Sequence, residues 1–469
     1  MTNNLKIKSF LKIKKGIILR KRNCDFKQEI DILIRTKTDV FTLDNKIFNF
    51  LTYCNGLNDF NKIKNIYFNI FKKKIDTPEK IIKNKYLGRI LENSFARLPI
   101  NKNQVIKVRG LKCSCRSAIW HLTSECNLNC KHCYYKGINI KSSDLNFNKN
   151  NIKKTVNNLH QLGVERVVIT GGEVLLKNEE LTYLCSLLTE KCLFFTINTN
   201  AFKEISPLLK IFKNNLYAEA IQVSLDGDKI NHEKFRGCKG CYKLIYRHIK
   251  ELVKAGINVK IVSMITNNWV GKEEKIFRII KNLKVKEWLI EIPILVGRWR
   301  DNYLGLEVNS SQLVSISKNF IKLVNKGNNF LEKFTINQIY NWPEKQNFID
   351  KKLSDPICFH DLGLITFGPE GVSFCTLFGN RFGDNLYKIA PAYSKDIKKI
   401  WNFIVGIKLK HKIGDNQYCR NCSLFKYCQG GCPGQYNDPI KFQGCDEQSR
   451  FLASIKKHLF NSSKNKHDR

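Results

Sequence analysis

Three cysteines fall inside eight residues of this chain, in the run Cys126-Asn127-Leu128-Asn129-Cys130-Lys131-His132-Cys133. The spacing is C-x3-C-x2-C, just after the apolar run Ile119-Trp120-His121-Leu122. A strand that ends in such a loop presents its thiols together at one end. Thiolates are the soft ligands that iron–sulfur clusters require, and a four-iron cluster held by three of them keeps one iron open for a small molecule to chelate. Zinc is the competing reading. It prefers four closed ligands in paired C-x2-4-C or Cys/His units, whereas the loop has an odd count and His132 stands where it replaces one thiol at most.

The rest of the composition agrees with a thiol-rich protein of a reducing cytoplasm. Eighteen cysteines in 469 residues cluster at metal-ligand spacings, whereas disulfide scaffolds are typically short secreted chains. No run of 18 apolar residues occurs, so no membrane span is expected. The basic N-terminus lacks the apolar core and cleavage site of a signal peptide. Net charge is +39, from 80 Lys+Arg against 41 Asp+Glu. The lysines are spread along the chain and not gathered in one stripe, which argues against nucleic acid as substrate. The same field would attract an acidic peptide.

From residue 117 to about 330, short apolar runs alternate with helical patterns. Strands are expected at 119–124, 166–170, 193–198, 220–225, 259–266 and 288–294. Six βα units at this spacing imply a parallel sheet with helices outside, and functional residues at the strands' C-terminal ends. Thr170-Gly171-Gly172-Glu173 falls at such an end, where glycines admit a ligand close to the backbone and Glu173 can accept from an ammonium. So do Asn198-Thr199-Asn200 and Ser224-Leu225-Asp226-Gly227, followed by His232-Glu233-Lys234-Phe235-Arg236-Gly237.

The cysteine loop resembles the signature of radical S-adenosylmethionine (SAM) enzymes. The resemblance implies that Cys126, Cys130 and Cys133 hold a 4Fe–4S cluster whose open iron binds SAM, with His132 near the adenine. Gly171, Gly172 and Glu173 resemble the family's GGE motif for the methionyl amine, and Asn198 begins a turn like its TNG turn, with Ala201 extending it in place of glycine. Ser224 and Asp226 match the polar pair that reaches the ribose or carboxylate, and Arg236 would pair with the SAM carboxylate. Cys238 and Cys241, like Cys113 and Cys115, have no second pair nearby and read as incidental.

A third region holds Cys358, Cys375, Cys419, Cys422, Cys428, Cys432 and Cys445, interleaved with glycines. Seven thiols suit two clusters, one closed and one short of a ligand. The spacing resembles the SPASM domain with its two auxiliary iron–sulfur clusters. By that resemblance Cys358, Cys375 and Cys432 hold the inner cluster, and Cys419, Cys422, Cys428 and Cys445 the outer one. The chain departs from the family in two places. Gly371 and Cys375 enclose three residues where four are usual, and no cysteine lies just before Cys358, which opens the inner set to a non-thiol ligand such as His360 or Asp361.

The first 110 residues carry no metal motif. Two strands at 30–35 and 39–43 around Thr36-Lys37-Thr38, a helix from Asp44 or Asn45, another through Ile63, Tyr67, Ile70 and Phe71, and a third from Thr77-Pro78-Glu79 through Ile82, Tyr86 and Ile90 are expected. A hairpin followed by about three helices resembles the winged-helix-like, PqqD-like recognition element of ribosomal-peptide (RiPP) maturation, where a leader peptide adds a strand to the hairpin edge.

The expected architecture is therefore α/β: a partial (β/α)6 TIM-type barrel at 111–340, an α+β leader-binding domain at 1–110, a SPASM domain at 341–455 and a basic tail at 456–469. The expected function is a cytoplasmic peptide maturase that cleaves SAM reductively and installs a crosslink, thioether or oxidation on a ribosomal precursor peptide. It would take its electron from a donor such as flavodoxin or ferredoxin. The alternatives are a sulfatase-type maturase, haem or quinone cofactor synthesis on a small molecule, and a non-enzymatic iron–sulfur electron carrier.

Overall fold

The computed structural model describes residues 10–15, 17–24, 29–35, 40–42, 45–74, 77–83, 87–94, 101–134, 148–295, 297–327, 330–337, 340–342, 352, 354–355, 362–368, 371–373, 388–428, 430–431, 445 and 447–464. The first strands are β1 (Phe10–Ile13), β2 (Ile18–Cys24), β3 (Glu29–Arg35), β4 (Val40–Thr42), β5 (Asn55–Asp59), β6 (Leu91–Ser94) and β7 (Val105–Leu111). They form two sheets, ordered β5-β1-β6 and β4-β3-β2-β7. The expected hairpin is β3–β4, paired antiparallel with Leu33 opposite Thr42, and its turn lies outside the described residues.

Helices Asn45–Tyr53 and Phe60–Phe71 follow as expected, the second capped by Asp59, whose carboxylate accepts from the Lys62 N–H. The third expected helix is broken into Pro78–Ile82 and Leu87–Ile90. Leu87, Ile90 and Leu91 turn inward to a small core with Phe48, Phe50, Leu51 and Ile63, and Leu91 starts strand β6. Tertiary packing overrides the local periodicity there.

The central sheet is built from β8 (Ser117–His121), β9 (Arg166–Thr170), β10 (Phe194–Thr199), β11 (Ala218–Ser224), β12 (Val259–Met264), β13 (Glu287–Glu291), β14 (Lys333–Ile336), β15 (Tyr340–Trp342), β16 (Leu364–Gly368), β17 (Gly371–Ser373) and β18 (Lys388–Ala390). Its order is β15-β14-β13-β12-β11-β10-β9-β8-β16-β17-β18. The six expected strands are the parallel run β8 to β13. Two more parallel strands flank it, β14 on β13 and β16 on β8. Each is followed by an antiparallel strand, β15 or β17, and not by a helical period, so neither reads as a βα unit.

Strand β8 stops at His121, three residues before the expected end; Leu122 still bonds to Thr170 at the end of β9, and from Thr123 on the chain bonds to the loop that follows β9. Leu122 N–H donates to Thr170 O at 2.8 Å, and the Thr123 and Glu125 carbonyls accept from Gly172 and Glu173, each at 2.7 Å.

One apolar cluster runs from Ile18 through the barrel to Ile400, Trp401, Ile404 and Leu452, so the C-terminal region shares the barrel's core. The N-terminal segment is joined to the barrel by Arg20, fully buried, whose guanidinium donates to the carbonyls of Asn103, Gln104 and Cys192. The helix Glu447–Lys464 crosses the boundary expected between domain and tail. Among the described residues no helix is long and apolar enough to cross a membrane.

Buried histidines give this fold a pH dependence, His121 and His232 among them. Burial lowers the pKa of His121 to about 4. Burial, helped by Arg236 and opposed by Asp226, lowers that of His232 to about 4 as well. From pH 6.5 down to about 4 the unfolded chain binds protons that the folded chain excludes. Stability should therefore fall with pH across that window, each histidine adding a slope of up to about 1.4 kcal/mol per unit. Thermal midpoints of the metal-free protein at pH 7, 6 and 5 test this. A flat profile that His121→Gln leaves unchanged would contradict it.

Candidate iron–sulfur and cofactor site

The cysteine loop leaves the C-terminal end of β8 and is held from several directions. Cys126, Cys130 and Cys133 are thiols there, joined in no disulfide. Lys131 N–H donates to Phe235 O at 3.0 Å, Arg298 N–H to Cys133 O at 3.0 Å, and the Arg298 guanidinium to the Asn129 side chain. Asn200 Nδ2 donates to Asn127 Oδ1 at 2.8 Å and stands 4.0 Å from Cys126 Sγ.

Two further glycines are required by this packing, Gly237 at the end of the His232–Gly237 run and Gly297, which the sequence did not point to. A Cβ on Gly237, which has φ +66°, would lie 2.9 Å from Asn129 O. One on Gly297, with φ +54°, would lie 2.6 Å from Cys133 O. Gly297 and Arg298 left no signal in the sequence, because their role is contact with a loop more than 160 residues away.

Gly171 and Gly172 sit where expected, and sterics account for both. Cβ atoms there would come within 2.3 Å of Thr123 O and 2.0 Å of Glu125 O, so only glycine lets this loop lie along the segment that enters the cysteine loop. Glu173 is fully buried. Its carboxylate accepts from Leu175 N at 3.0 Å, Thr199 Oγ1 at 2.6 Å and Asn200 N at 2.7 Å, tying the end of β9 to the end of β10. Burial raises its pKa, and those three bonds oppose the rise. Ala201 follows in the left-handed region, with φ 54°.

The electrostatic centre lies beyond β11. Arg236 donates to Asp226 through Nε at 2.5 Å and Nη2 at 3.1 Å, and its Nη1 lies 3.8 Å from Cys130 Sγ. Both Asp226 and Arg236 are buried. Burial would raise the Asp226 carboxyl, but the charge and hydrogen bonds of Arg236 outweigh it and hold the group below the ordinary carboxylate range. Burial likewise works against the Arg236 charge, and Asp226 and Cys130 more than offset it. The thiol of Cys130 is pushed up by burial and pulled down by Arg236. Arg236 is therefore a buried cation that faces the thiol of Cys130 and favours its charged form.

His132 stacks on Phe235 with ring centroids 4.4 Å apart, and burial with Arg236 lowers its pKa to about 3, so it is neutral. Ser224 is half-buried at the end of β11.

Several polar atoms at this mouth are buried without a partner among the described residues: Asn198 Oδ1, Asn127 Nδ2 and His132 Nδ1. Orphaned groups of this kind suit a polar ligand in the mouth, as SAM would be. Glu291, at the end of β13, is another residue the sequence did not point to; burial raises its carboxyl, opposed by Arg236.

A second thiol set is also assembled. Cys419, Cys422, Cys428 and Cys445 line one pocket together with Phe425 and Gly430, four donors in the number a closed cluster takes. Cys358, Cys375, Cys432, His360 and Asp361 lie outside the described residues. Cys115 is buried and Cys113 half-buried, and neither is joined in a disulfide. Cys238 and Cys241 are joined as a disulfide.

Residues 120–297 match the radical SAM superfamily. This stretch of the chain is similar to radical SAM domains. Domains of this family are enzymatic and use a 4Fe–4S cluster with SAM, and the thiol-rich C-terminal region is compatible with auxiliary clusters.

The antilisterial bacteriocin subtilosin biosynthesis protein AlbA of Bacillus subtilis is 30% identical over 190 residues, which span 39% of this chain and 41% of AlbA. The AdoMet-dependent heme synthase of Nitratidesulfovibrio vulgaris is 24% identical over 189 residues, 39% of this chain and 50% of that protein. The match thus covers half or less of either relative. The crystal structure of Streptococcus suis SuiB bound to SAM shares the fold at TM-score 0.62 and 16% identity, over 92% of this chain and 99% of SuiB.

Asp226→Asn removes the countercharge from a buried guanidinium, a change that typically costs about 3–5 kcal/mol. The thermal midpoint of the metal-free protein should drop accordingly, and adding Arg236→Met should recover most of the loss. A drop no larger than that of the surface control Lys281→Met would show that the pair is not what holds the loop.

Proposed function

We propose that this protein is a radical SAM peptide maturase with SPASM-type auxiliary clusters. One observation carries the reading: the chain gathers two separate thiol sets, three at the barrel mouth under Arg236 and four in a C-terminal pocket. A lone electron carrier does not need the orphaned polar atoms facing the mouth. The barrel, the N-terminal segment and the C-terminal thiol region act in this reading as radical SAM core, leader-binding domain and SPASM domain.

In this reading Cys126, Cys130 and Cys133 hold the first cluster, and the second set holds the outer auxiliary one, with Cys358, Cys375 and Cys432 holding the inner. When bound, the cluster and SAM supply a 5′-deoxyadenosyl radical that takes a hydrogen from an unactivated carbon. The chain's own residues bind and orient. Gly171 and Gly172 let the backbone approach the methionyl amine, Asn198 and Ser224 face the ligand from the strand ends, and His132 on Phe235 offers an aromatic floor for the adenine. Asp226 and Arg236 act through the loop they position. A flavodoxin or ferredoxin would deliver the electron.

The peptide substrate is supported by the N-terminal sheet, in which β4 is an edge strand. An edge presents free N–H and C=O groups to which an extended leader can add as a further strand. SuiB has also been crystallised with its precursor peptide SuiA, in a structure that covers 91% of this chain at TM-score 0.60 and 16% identity. The net charge of +39 favours an acidic leader and binding that weakens with salt. The match to a heme synthase supports the second reading, a tetrapyrrole substrate that needs no leader-binding edge.

Anaerobic reconstitution should load roughly eight to twelve irons and little zinc. Cys126→Ala, Cys130→Ala and Cys133→Ala together should remove about four irons and all SAM cleavage; full iron content in that variant would refute the first cluster site. Deleting residues 1–105 should spare SAM cleavage but abolish modification of an acidic-leader precursor at low concentration, with partial recovery at high concentration. A truncated enzyme that processes precursor as well as the parent would favour the small-molecule reading.

A further inference from the structure

The mechanism leaves one cluster of reactive groups unused. Cys238 and Cys241 form a disulfide, and their sulfurs and a ring nitrogen of His232 all lie within 4.8 Å of one another. His232 is fully buried; its Nδ1 accepts from the Asp226 N–H at 3.1 Å, so the proton sits on Nε2, which has no partner among the described residues. A metal ion would need that nitrogen's lone pair, so the donor set as bonded favours sulfur chemistry over zinc.

Cys241 is buried and opens the 14-residue helix Cys241–Lys254, whose N-terminal dipole favours a thiolate. Cys238 is half-buried, next to exposed Lys239 and Gly240, and is the more accessible residue of the pair. The turn that carries the pair abuts the cysteine loop. Gly237 has room for no Cβ against Asn129 O, Phe235 O holds Lys131 N, and Arg236 reaches Cys130.

We propose that Cys238 and Cys241 form a thiol–disulfide exchange site, reduced by dithiols, whose state sets how the cysteine loop is held. A dithiol's thiolate attacks Cys238 Sγ, breaking the S–S bond, and Cys241 leaves as a thiolate beside His232 and takes up a proton. The second thiol of the reductant then resolves the mixed disulfide. Two electrons and two protons pass to the protein, and the dithiol becomes a cyclic disulfide. The exchange chemistry stands on these residues alone; its effect on SAM binding rests on the radical SAM reading.

The test uses the full-length, reconstituted protein equilibrated anaerobically in graded mixtures of oxidised and reduced dithiothreitol. Acid quenching, alkylation and peptide mass mapping should show Cys238 and Cys241 passing together from disulfide to two thiols in one two-electron transition. SAM affinity, measured without added one-electron reductant, should differ by about fivefold or more between the end states. The Cys238→Ser, Cys241→Ser double variant should bind SAM with one affinity in every mixture. Full alkylation of both cysteines at every ratio, or one equivalent of zinc lost in the double variant, would overturn the exchange site. A clean thiol transition with unchanged SAM affinity would overturn the coupling. If the parent protein binds no SAM at all, the functional reading fails, while the mass map still decides the exchange site.

Discussion

The barrel mouth depends on the buried pair between Asp226 and Arg236. At contact distance two such charges attract by roughly 5 kcal/mol at an effective dielectric of about 20. Removing each from water costs several kcal/mol, so the pair contributes little net stability to the fold. Its value is positional. The guanidinium is planar and fixed by two bonds to one carboxylate, which aims its remaining nitrogen at Cys130 Sγ. The carboxylate is fixed in turn by the Met264 N–H at 2.8 Å, so the end of β12 orients the charge that faces the cysteine loop.

Close backbone packing complements that charge. The cysteine loop is flanked by the Gly171-Gly172 loop, by Gly237 and by Gly297, and at each of them a side chain would strike a carbonyl. A loop without regular structure must have its polar backbone groups satisfied from outside. Here Phe235 O and Arg298 N satisfy them, and the glycines permit the approach. Three thiols are thus held at one end of a parallel sheet, the end where βα folds place their chemistry. The N-terminal segment connects to the same body from the side, through Arg20 and the shared burial of Ile18, Val108 and Leu111.

Much of the site was legible in the sequence because its signals are local. The spacing of Cys126, Cys130 and Cys133, the Gly171-Gly172-Glu173 run and the strand-end polar residues are short motifs whose chemistry survives out of context. The six barrel strands were legible for the same reason, since each is a buried apolar run followed by a helical period. Glu173 shows where local reading stops. It was expected to face an ammonium, and in the fold its carboxylate takes three donors from its own strand ends. The Cys238–Cys241 pair, unremarkable by spacing, acquires meaning only beside His232.

Sequence alone determined the metal chemistry, the parallel-sheet class and the end of the sheet that carries the site. Those follow from ligand softness, hydrophobic period and strand polarity, which are properties of residues a few positions apart. Tertiary structure alone decided that the outer strands β14 and β16 join the sheet, that the helix begun at Pro78 breaks before Leu87, and that Arg298 and Arg236 converge on the cysteine loop. Each of these is a contact between segments distant in the chain, chosen because a buried polar or apolar group must find its partner wherever the completed core leaves one.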